Sequence, residues 1–205
     1  MSMRTGIMGG TFNPVHNAHI LLAQVAYDEC KLDRVLFVPT SRPAYKENNN
    51  ILPDELRLSM VEASLQSKDH MQVSDVDIKR KGYTYTVDTL DELKILYPED
   101  EFYFIMGADS LENLTKWYHF EQIFKKCSII AAMRPGCDNS YVESVRNNLV
   151  ERYNASIYMI DMPQLDISST KIRDDFVGNK SIEDRMPPEA LKILYDNESL
   201  AKEVW

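Results

Sequence analysis

Gly9-Gly10-Thr11-Phe12-Asn13-Pro14-Val15-His16-Asn17-Ala18-His19 is the stretch that decides how this chain folds. It follows a short apolar run, Thr5–Met8, and leads into a segment in which Ala18, Leu21, Leu22, Val25 and Ala26 recur at i, i+3, i+4, i+7 and i+8. The run reads as a buried strand and the recurrence as a helix with one apolar face. A strand that passes through glycines into a helix opens a βαβ unit. Glycines at such a junction let the backbone approach an anion without hindrance from a Cβ. The helix start that follows offers unpaired N–H groups and the positive end of a dipole. Pro14 sets the chain direction ahead of that helix.

His16 and His19 are three residues apart, and they are two of only four histidines in the chain. With His19 in the first helical turn and His16 just before it, both imidazoles can face one anion. They can donate hydrogen bonds and, when protonated, add charge. The competing reading is a tight glycine turn with two surface histidines. A metal reading of H-x-x-H lacks a third ligand at a fitting spacing, so no metal ligands are assigned. Neither G-x-x-x-x-G-K-[ST] nor G-x-G-x-x-G occurs, so the two commonest phosphate loops are excluded.

Outward from this stretch, apolar runs alternate with helical periods. Val35–Val38, Phe102–Met106, Ser128–Met133 and Ile157–Ile160 read as buried strands, with Met71–Val76 as a less apolar one. Leu56, Met60, Val61 and Leu65 mark one helix, Leu90, Leu93 and Tyr97 another, and Val142, Val145 and Leu149 a third. This pattern predicts an α/β fold, a doubly wound parallel sheet with helices on both faces. Thr40–Pro53, with two prolines and three consecutive asparagines, is expected to be a mobile loop. After Ser181 come Pro187-Pro188 and a helical pattern at Ala190, Leu191, Leu194 and Tyr195. The chain is read as a single domain over 1–205. Its Rossmann-like core is expected over about 1–165, with a small helical C-terminal part over about 166–205.

The chain has 205 residues, 44% of them hydrophobic, and a formal charge of −9. A domain of this size buries roughly 70% of its unfolded surface and needs no disulfide. The acidic balance argues against a nucleic-acid partner, whose binders carry a basic face. Cys30, Cys127 and Cys137 form no C-x-x-C pair and read as buried or free thiols. No signal segment follows Met1-Ser2-Met3-Arg4, and no run approaches the roughly 18 apolar residues of a membrane span. The expectation is a soluble cytoplasmic protein without a membrane partner; homo-oligomer formation stays open.

Ile167-Ser168-Ser169-Thr170-Lys171-Ile172-Arg173 is a second candidate anion site. Serines before a helical pattern cap its first turn, and Lys171 and Arg173 stand close by. A plain capped helix with solvated cations is the alternative. Between the two segments, Gly107-Ala108-Asp109 ends the strand Phe102–Met106. That strand is expected beside the first one, at the switch point where open sheets bind ligands. Gly107 permits close approach of a nucleotide, and Asp109 can accept hydrogen bonds from ribose hydroxyls or cap the next helix. Thr86, in Tyr83-Thr84-Tyr85-Thr86-Val87-Asp88-Thr89-Leu90, is expected to cap a helix. Trp117 offers a flat ring, although a tryptophan is more often core.

Gly9–His19 resembles the (T/H)-x-G-H signature of the nucleotidyltransferase superfamily related to class I aminoacyl-tRNA synthetases. Ala18 stands where that family usually has glycine. Ile167–Arg173 resembles its I-S-S-T-x-I-R motif at every defining position. Tyr85-Thr86-x-Asp88-Thr89-Leu90, Phe104–Asp109 with Leu111, Leu114 and Trp117, and Arg134-Pro135-Gly136 resemble the bacterial nicotinate-nucleotide adenylyltransferases. Pro39–Lys46 is similar to their Pro-x-x-x-Pro-Pro-His-Lys loop, with Lys46 retained, Tyr45 for the histidine and Ala44 for a proline.

The resemblance implies a Rossmann-like nucleotidyltransferase fold and transfer of AMP from ATP to nicotinate mononucleotide. ATP would meet Gly9, Gly10, Thr11, Phe12, His16, His19, Gly107, Asp109, Ser168, Ser169, Thr170 and Arg173. The mononucleotide would meet Tyr85, Thr86, Trp117, Asp109, Lys46 and Arg134, with Trp117 stacked on the pyridine ring. His16, His19, Lys46, Ser169 and Arg173 would stabilise charge, and Mg²⁺ would arrive with ATP. The acceptor phosphate is already anionic, so no protein nucleophile is required. The alternatives are a nicotinamide-mononucleotide or other small-phosphate adenylyltransferase, or a catalytically silent nucleotide-binding regulator.

Overall fold

The computed structural model describes residues 2–43, 50–133, 140–163 and 165–205. Among them run eight strands: β1 (Arg4–Gly10), β2 (Arg34–Pro39), β3 (Arg42–Pro43), β4 (Met71–Val73), β5 (Tyr83–Thr84), β6 (Glu101–Gly107), β7 (Ser128–Met133) and β8 (Ile157–Asp161). Ten α-helices accompany them. The first five are α1 (Asn17–Glu29), α2 (Asp54–Leu65), α3 (Val76–Arg80), α4 (Thr86–Leu96) and α5 (Ala108–Glu112). The others are α6 (Phe120–Lys126), α7 (Ser140–Tyr153), α8 (Ser169–Val177), α9 (Pro188–Asp196) and α10 (Glu198–Val204).

Six strands form one sheet in the order β4-β2-β1-β6-β7-β8, while β3 and β5 pair separately. The β1–β6, β6–β7 and β7–β8 ladders are parallel. The chain winds outward from β1 and then returns to lay β6 on the other side of β1, which creates the expected switch point. All six strands of this sheet fall on the six apolar runs. Met71–Val76 is shorter than expected: the strand stops at Val73, and Val76 opens α3. That helix buries Asp77 against Arg80, 2.7 Å away, and ends at Lys81 and Gly82, both with positive φ.

The chain divides into two compact units. One comprises Met1–Gly9, Leu22–Leu36 and Tyr85–Gln164; the other comprises Gly10–Leu21, Phe37–Thr84 and Leu165–Trp205. In the first unit, β1 lies against β6 with Ile7 beside Phe104. Ile7, Val35, Ile129, Ile130 and Ala131 are fully buried. Cys30 and Cys127 are buried free thiols, as their spacing suggested; Cys137 lies outside the described residues. In the second unit, α2 packs against α9. Asp54 and Glu55 in the first turn of α2 face the positive end of its dipole, and Pro188 opens α9 at a position where a missing N–H costs nothing. Phe176 of α8 is buried beside Tyr195 and Trp205. In the Thr40–Pro53 segment, Arg42–Pro43 pairs with Tyr83–Thr84; residues 44–49 lie outside the described residues.

A buried polar cluster ties the starts of three strands in the first unit. Thr5 Oγ1 donates to Asp100 Oδ2 at 2.6 Å, Arg34 Nη2 reaches the same oxygen at 2.7 Å, and Arg34 Nε donates to Thr5 Oγ1 at 3.0 Å. Burial pushes the Asp100 carboxyl up, but the hydrogen bonds from Thr5 and Arg34 and the Arg34 charge outweigh it and hold the group below its ordinary value. The stability it contributes is therefore present above the ordinary carboxylate range and is lost as pH falls through its lowered value. Removing one partner leaves the other charge buried. Asp100→Ala should cost about 3 kcal/mol in urea unfolding at neutral pH. Adding Arg34→Met should recover part of that loss, and additive losses would mean the two groups are not coupled.

Candidate active site

The first candidate phosphate segment lies almost wholly in the second unit, and so does the segment around Ser168. The structure brings them together. Arg173 Nη1 donates to the Asn13 carbonyl at 2.9 Å, and Ser169 Oγ donates to the Pro14 carbonyl at 2.9 Å. Arg57 Nη1 donates to the Thr11 carbonyl, and the Thr40 N–H to the Gly10 carbonyl at 2.8 Å. The carbonyls of residues 10, 11, 13 and 14 are thus all tied back. A loop whose oxygens are occupied has its N–H groups left to meet an anion.

Arg57 supports this loop and was not singled out from the sequence. Its side chain is fully buried in α2. It also donates from Nε to the Leu52 carbonyl at 2.9 Å and from Nη2 to Asp54 at 2.5 Å. Asp54, three residues earlier on the same helix, was the available signal for a paired cation. Asn13 is a second such residue. It is buried, donates to the Asn50 carbonyl at 2.7 Å and accepts from the Leu52 N–H at 3.0 Å and the Trp205 indole at 3.4 Å.

His16 and His19 stack, with ring centroids 3.6 Å apart and planes 19° from parallel. The His16 backbone N–H donates to His19 Nδ1 at 3.2 Å, so in neutral His19 the proton sits on Nε2. Phe12 adopts φ 46°, a left-handed conformation costly for a non-glycine residue, and is only 2% exposed. Its ring meets His19 edge-on at 5.0 Å and Phe37 at 5.6 Å. The buried ring leaves only the backbone of Phe12 for a ligand.

The expectation that both histidines add charge is corrected for His16. That residue is 6% exposed, and burial lowers its pKa to about 4. Its Nδ1 is buried with no hydrogen-bond partner among the described residues. His16 therefore serves near neutral pH as an uncharged hydrogen-bonding group. Ala18 sits in the first turn of α1, where a methyl is tolerated. Ser168 caps α8 as expected, accepting from the Lys171 N–H at 3.2 Å. Lys171 pairs with exposed Asp166 at 2.5 Å. Thr170 Oγ1 accepts from Arg173 Nη2 at 3.3 Å.

The other expected residues that the structure describes fall in the first unit. Gly9 comes near the end of β1, where an added Cβ would lie 3.3 Å from the Phe104 ring. Phe104 meets Trp117 edge-on at 6.0 Å, and Trp117 is half-buried rather than core. Gly107 ends β6, and an added Cβ there would meet nothing. Asp109 is exposed in the first turn of α5; Gly107 holds the cap position, so Asp109 does not cap the helix. Tyr85 holds the cap position of α4, which shifts Thr86 into the helix and corrects its expected capping role. The Tyr85 ring meets Tyr118 at 4.5 Å, and Tyr118 meets His119 at 3.9 Å. Lys46 and Arg134 lie outside the described residues. Among the described residues, no group of three or more His, Cys, Asp or Glu is placed to hold a metal ion.

Residues 7–175 match the family model described as Cytidylyltransferase-like. A protein of Lachnoclostridium phytofermentans named "Probable nicotinate-nucleotide adenylyltransferase" is 40% identical over 184 residues, 90% of this chain and 92% of that one. One of the same name from Dehalococcoides mccartyi is 38% identical over 188 residues, 91% of this chain and 92% of that one. Among solved structures, the Plasmodium falciparum nicotinic acid mononucleotide adenylyltransferase complexed with APC aligns with a TM-score of 0.74 at 19% identity, covering 96% of this chain and 98% of its own. That likeness shows the fold. The identity shared with the curated relatives goes further: the chain belongs to the cytidylyltransferase-like family and, within it, to the nicotinate-nucleotide adenylyltransferases.

Proposed function

We propose that this enzyme transfers the adenylyl group of ATP to nicotinate mononucleotide, releasing pyrophosphate and forming nicotinate adenine dinucleotide. The observation that carries the mechanism is the tying back of four carbonyls in the first phosphate segment by Thr40, Arg57, Arg173 and Ser169. The mononucleotide phosphate attacks the α-phosphorus of ATP, and the bond to pyrophosphate breaks. The protein aligns the two phosphates and stabilises charge on the leaving group. Gly9, Gly10, Thr11 and Phe12 supply backbone. His16 and His19 donate hydrogen bonds, while Arg173 and Lys46 supply charge. Ser168, Ser169 and Thr170 shape the start of α8. Mg²⁺ would come with ATP and would offset the charge on its phosphates.

Gly107 leaves room beside the end of β6, and Asp109 accepts from ribose hydroxyls. Trp117 offers its ring to the pyridine. The backbone at Tyr85 and Thr86 takes the nicotinate carboxylate, with Arg134 as a further contact. N–H donors favour a carboxylate over a carboxamide, which presents donors of its own.

Pyrophosphate release from ATP should be strong with nicotinate mononucleotide and at least about tenfold weaker in kcat/KM with nicotinamide mononucleotide. Equal rates would remove the assigned specificity. His19→Ala should lower kcat by about 10²-fold or more with the unfolding midpoint unchanged; near-normal turnover would exclude His19 from the reaction.

His16 also has a signature in stability. Its folded pKa of about 4 lies below the unfolded value of 6.5, so the unfolded chain binds more protons between these limits. This contribution to stability is complete above pH 6.5 and declines as pH falls toward 4, by about 3 kcal/mol in all. Urea unfolding of the protein and of His16→Asn at pH 7 and pH 4.5 should show a smaller acid loss in the variant. Equal losses would mean that His16 is not held neutral.

A further inference from the structure

A cavity of about 460 Å³ opens in the first unit, lined by Arg4, Glu29, Cys30, Lys31, Arg146 and the β8 residues Ile157–Ile160. Arg4 opens β1, while Gly9 comes near its end, so about 16 Å of strand separates the cavity from the glycine of the phosphate segment. Three of the lining residues are cations and one is an acid. No carboxylate among the described residues lies within ion-pair distance of Arg4, Lys31 or Arg146.

The two guanidinium groups are only partly satisfied. Arg4 Nη2 donates to the Cys30 carbonyl at 2.9 Å, and its guanidinium carbon lies 4.8 Å from the centroid of the Tyr103 ring. Arg146 Nη1 donates to Asn147 at 3.0 Å. Nε of Arg4 and Nε of Arg146 are both buried and without a partner among the described residues. Both Nε atoms lie beneath the surface, so a ligand in the cavity would meet the outer guanidinium nitrogens and the Lys31 ammonium. A guanidinium matches the oxygens of a phosphate best.

The rest of the wall narrows the ligand. Tyr158 is 44% exposed, which is high for an aromatic ring on a sheet, and it offers a face for stacking. Ile157 and Ile160 are apolar and buried. Glu29 can accept hydrogen bonds from sugar hydroxyls. The volume exceeds what a lone phosphate needs and falls in the range of small-molecule sites. We infer that this cavity is a second, non-catalytic site for a mononucleotide, with its phosphate on Arg4, Lys31 and Arg146 and its ring against Tyr158.

The test is calorimetric titration of the full chain with adenosine 5′-monophosphate and, separately, with inorganic phosphate. Using the Arg173→Ala chain suppresses binding at the catalytic segment. That chain should bind one equivalent of the mononucleotide. Adding Lys31→Gln and Arg146→Gln should weaken binding at least about tenfold, through loss of two charged donors. Adding Tyr158→Ala instead should weaken the mononucleotide and leave inorganic phosphate unchanged. With Arg173 intact, the Lys31→Gln/Arg146→Gln chain should keep its unfolding midpoint and its pyrophosphate release, which separates site loss from misfolding. An isotherm indifferent to Lys31 and Arg146 would overturn the site. Inorganic phosphate binding as tightly as the mononucleotide would overturn the stacking role of Tyr158.

Discussion

The proposed phosphate segment depends on one buried charge. Arg57 carries a guanidinium into the interior of the second unit at no measurable exposure, and burial pulls its pKa down against the opposing pull of Asp54. An unpaired charge there would cost several kcal/mol. Arg57 avoids that cost by donating to the carbonyls of Thr11, Ser41 and Leu52 and to the Asp54 carboxylate. Three loop oxygens that would otherwise face an interior without donors are satisfied by one side chain. The backbone around Thr11 is held by hydrogen bonds rather than by packing alone, which suits a segment that must keep N–H groups aimed at a ligand.

This arrangement explains why some of the fold was legible in the sequence and some was not. Parallel buried strands are nearly continuous apolar runs, so Val35–Val38 and Ser128–Met133 read directly as β2 and β7. The β3–β5 pair spans two residues on each strand, too few for any period to show. Val76 misled because one apolar residue fits a strand end as well as a helix start. The caps of α4 and α5 were displaced by one or two residues because neither Tyr85 nor Gly107 makes a side-chain cap bond. Arg57 was missed for a different reason. A charged residue within a helical period reads as a solvated face, and only the three-dimensional position of the Thr11 and Leu52 carbonyls reveals it as an interior donor.

The two histidines show where sequence pattern and environment part. Their spacing correctly placed them side by side, but spacing carries no information on solvation. Stacking at 3.6 Å would set two imidazolium charges against one another, and burial of His16 removes one of them. Among the described residues, Arg173 then supplies positive charge to the proposed phosphate segment, its fork anchored on the Asn13 carbonyl. Lys171, equally prominent in the sequence, is engaged with Asp166 at the surface. In a chain of formal charge −9, the anion-binding role proposed for this segment thus rests, among the described residues, on oriented N–H groups and the anchored guanidinium of Arg173.

The first unit achieves rigidity by another route. Gly9 lies against the Phe104 ring because no side chain intervenes, and Phe104 in turn meets the edge of Trp117. The indole therefore meets a strand residue of the sheet, Phe104, which pairs with Ile7 of β1. A larger residue at position 9 would press on Phe104 and, through it, on Trp117, without touching either ligand. Glycine there has two separate reasons to exist: backbone approach to a phosphate, and space for the ring that sets the tryptophan. Either alone would favour glycine, and together they link the end of the first strand to the orientation of the ring proposed to read the pyridine.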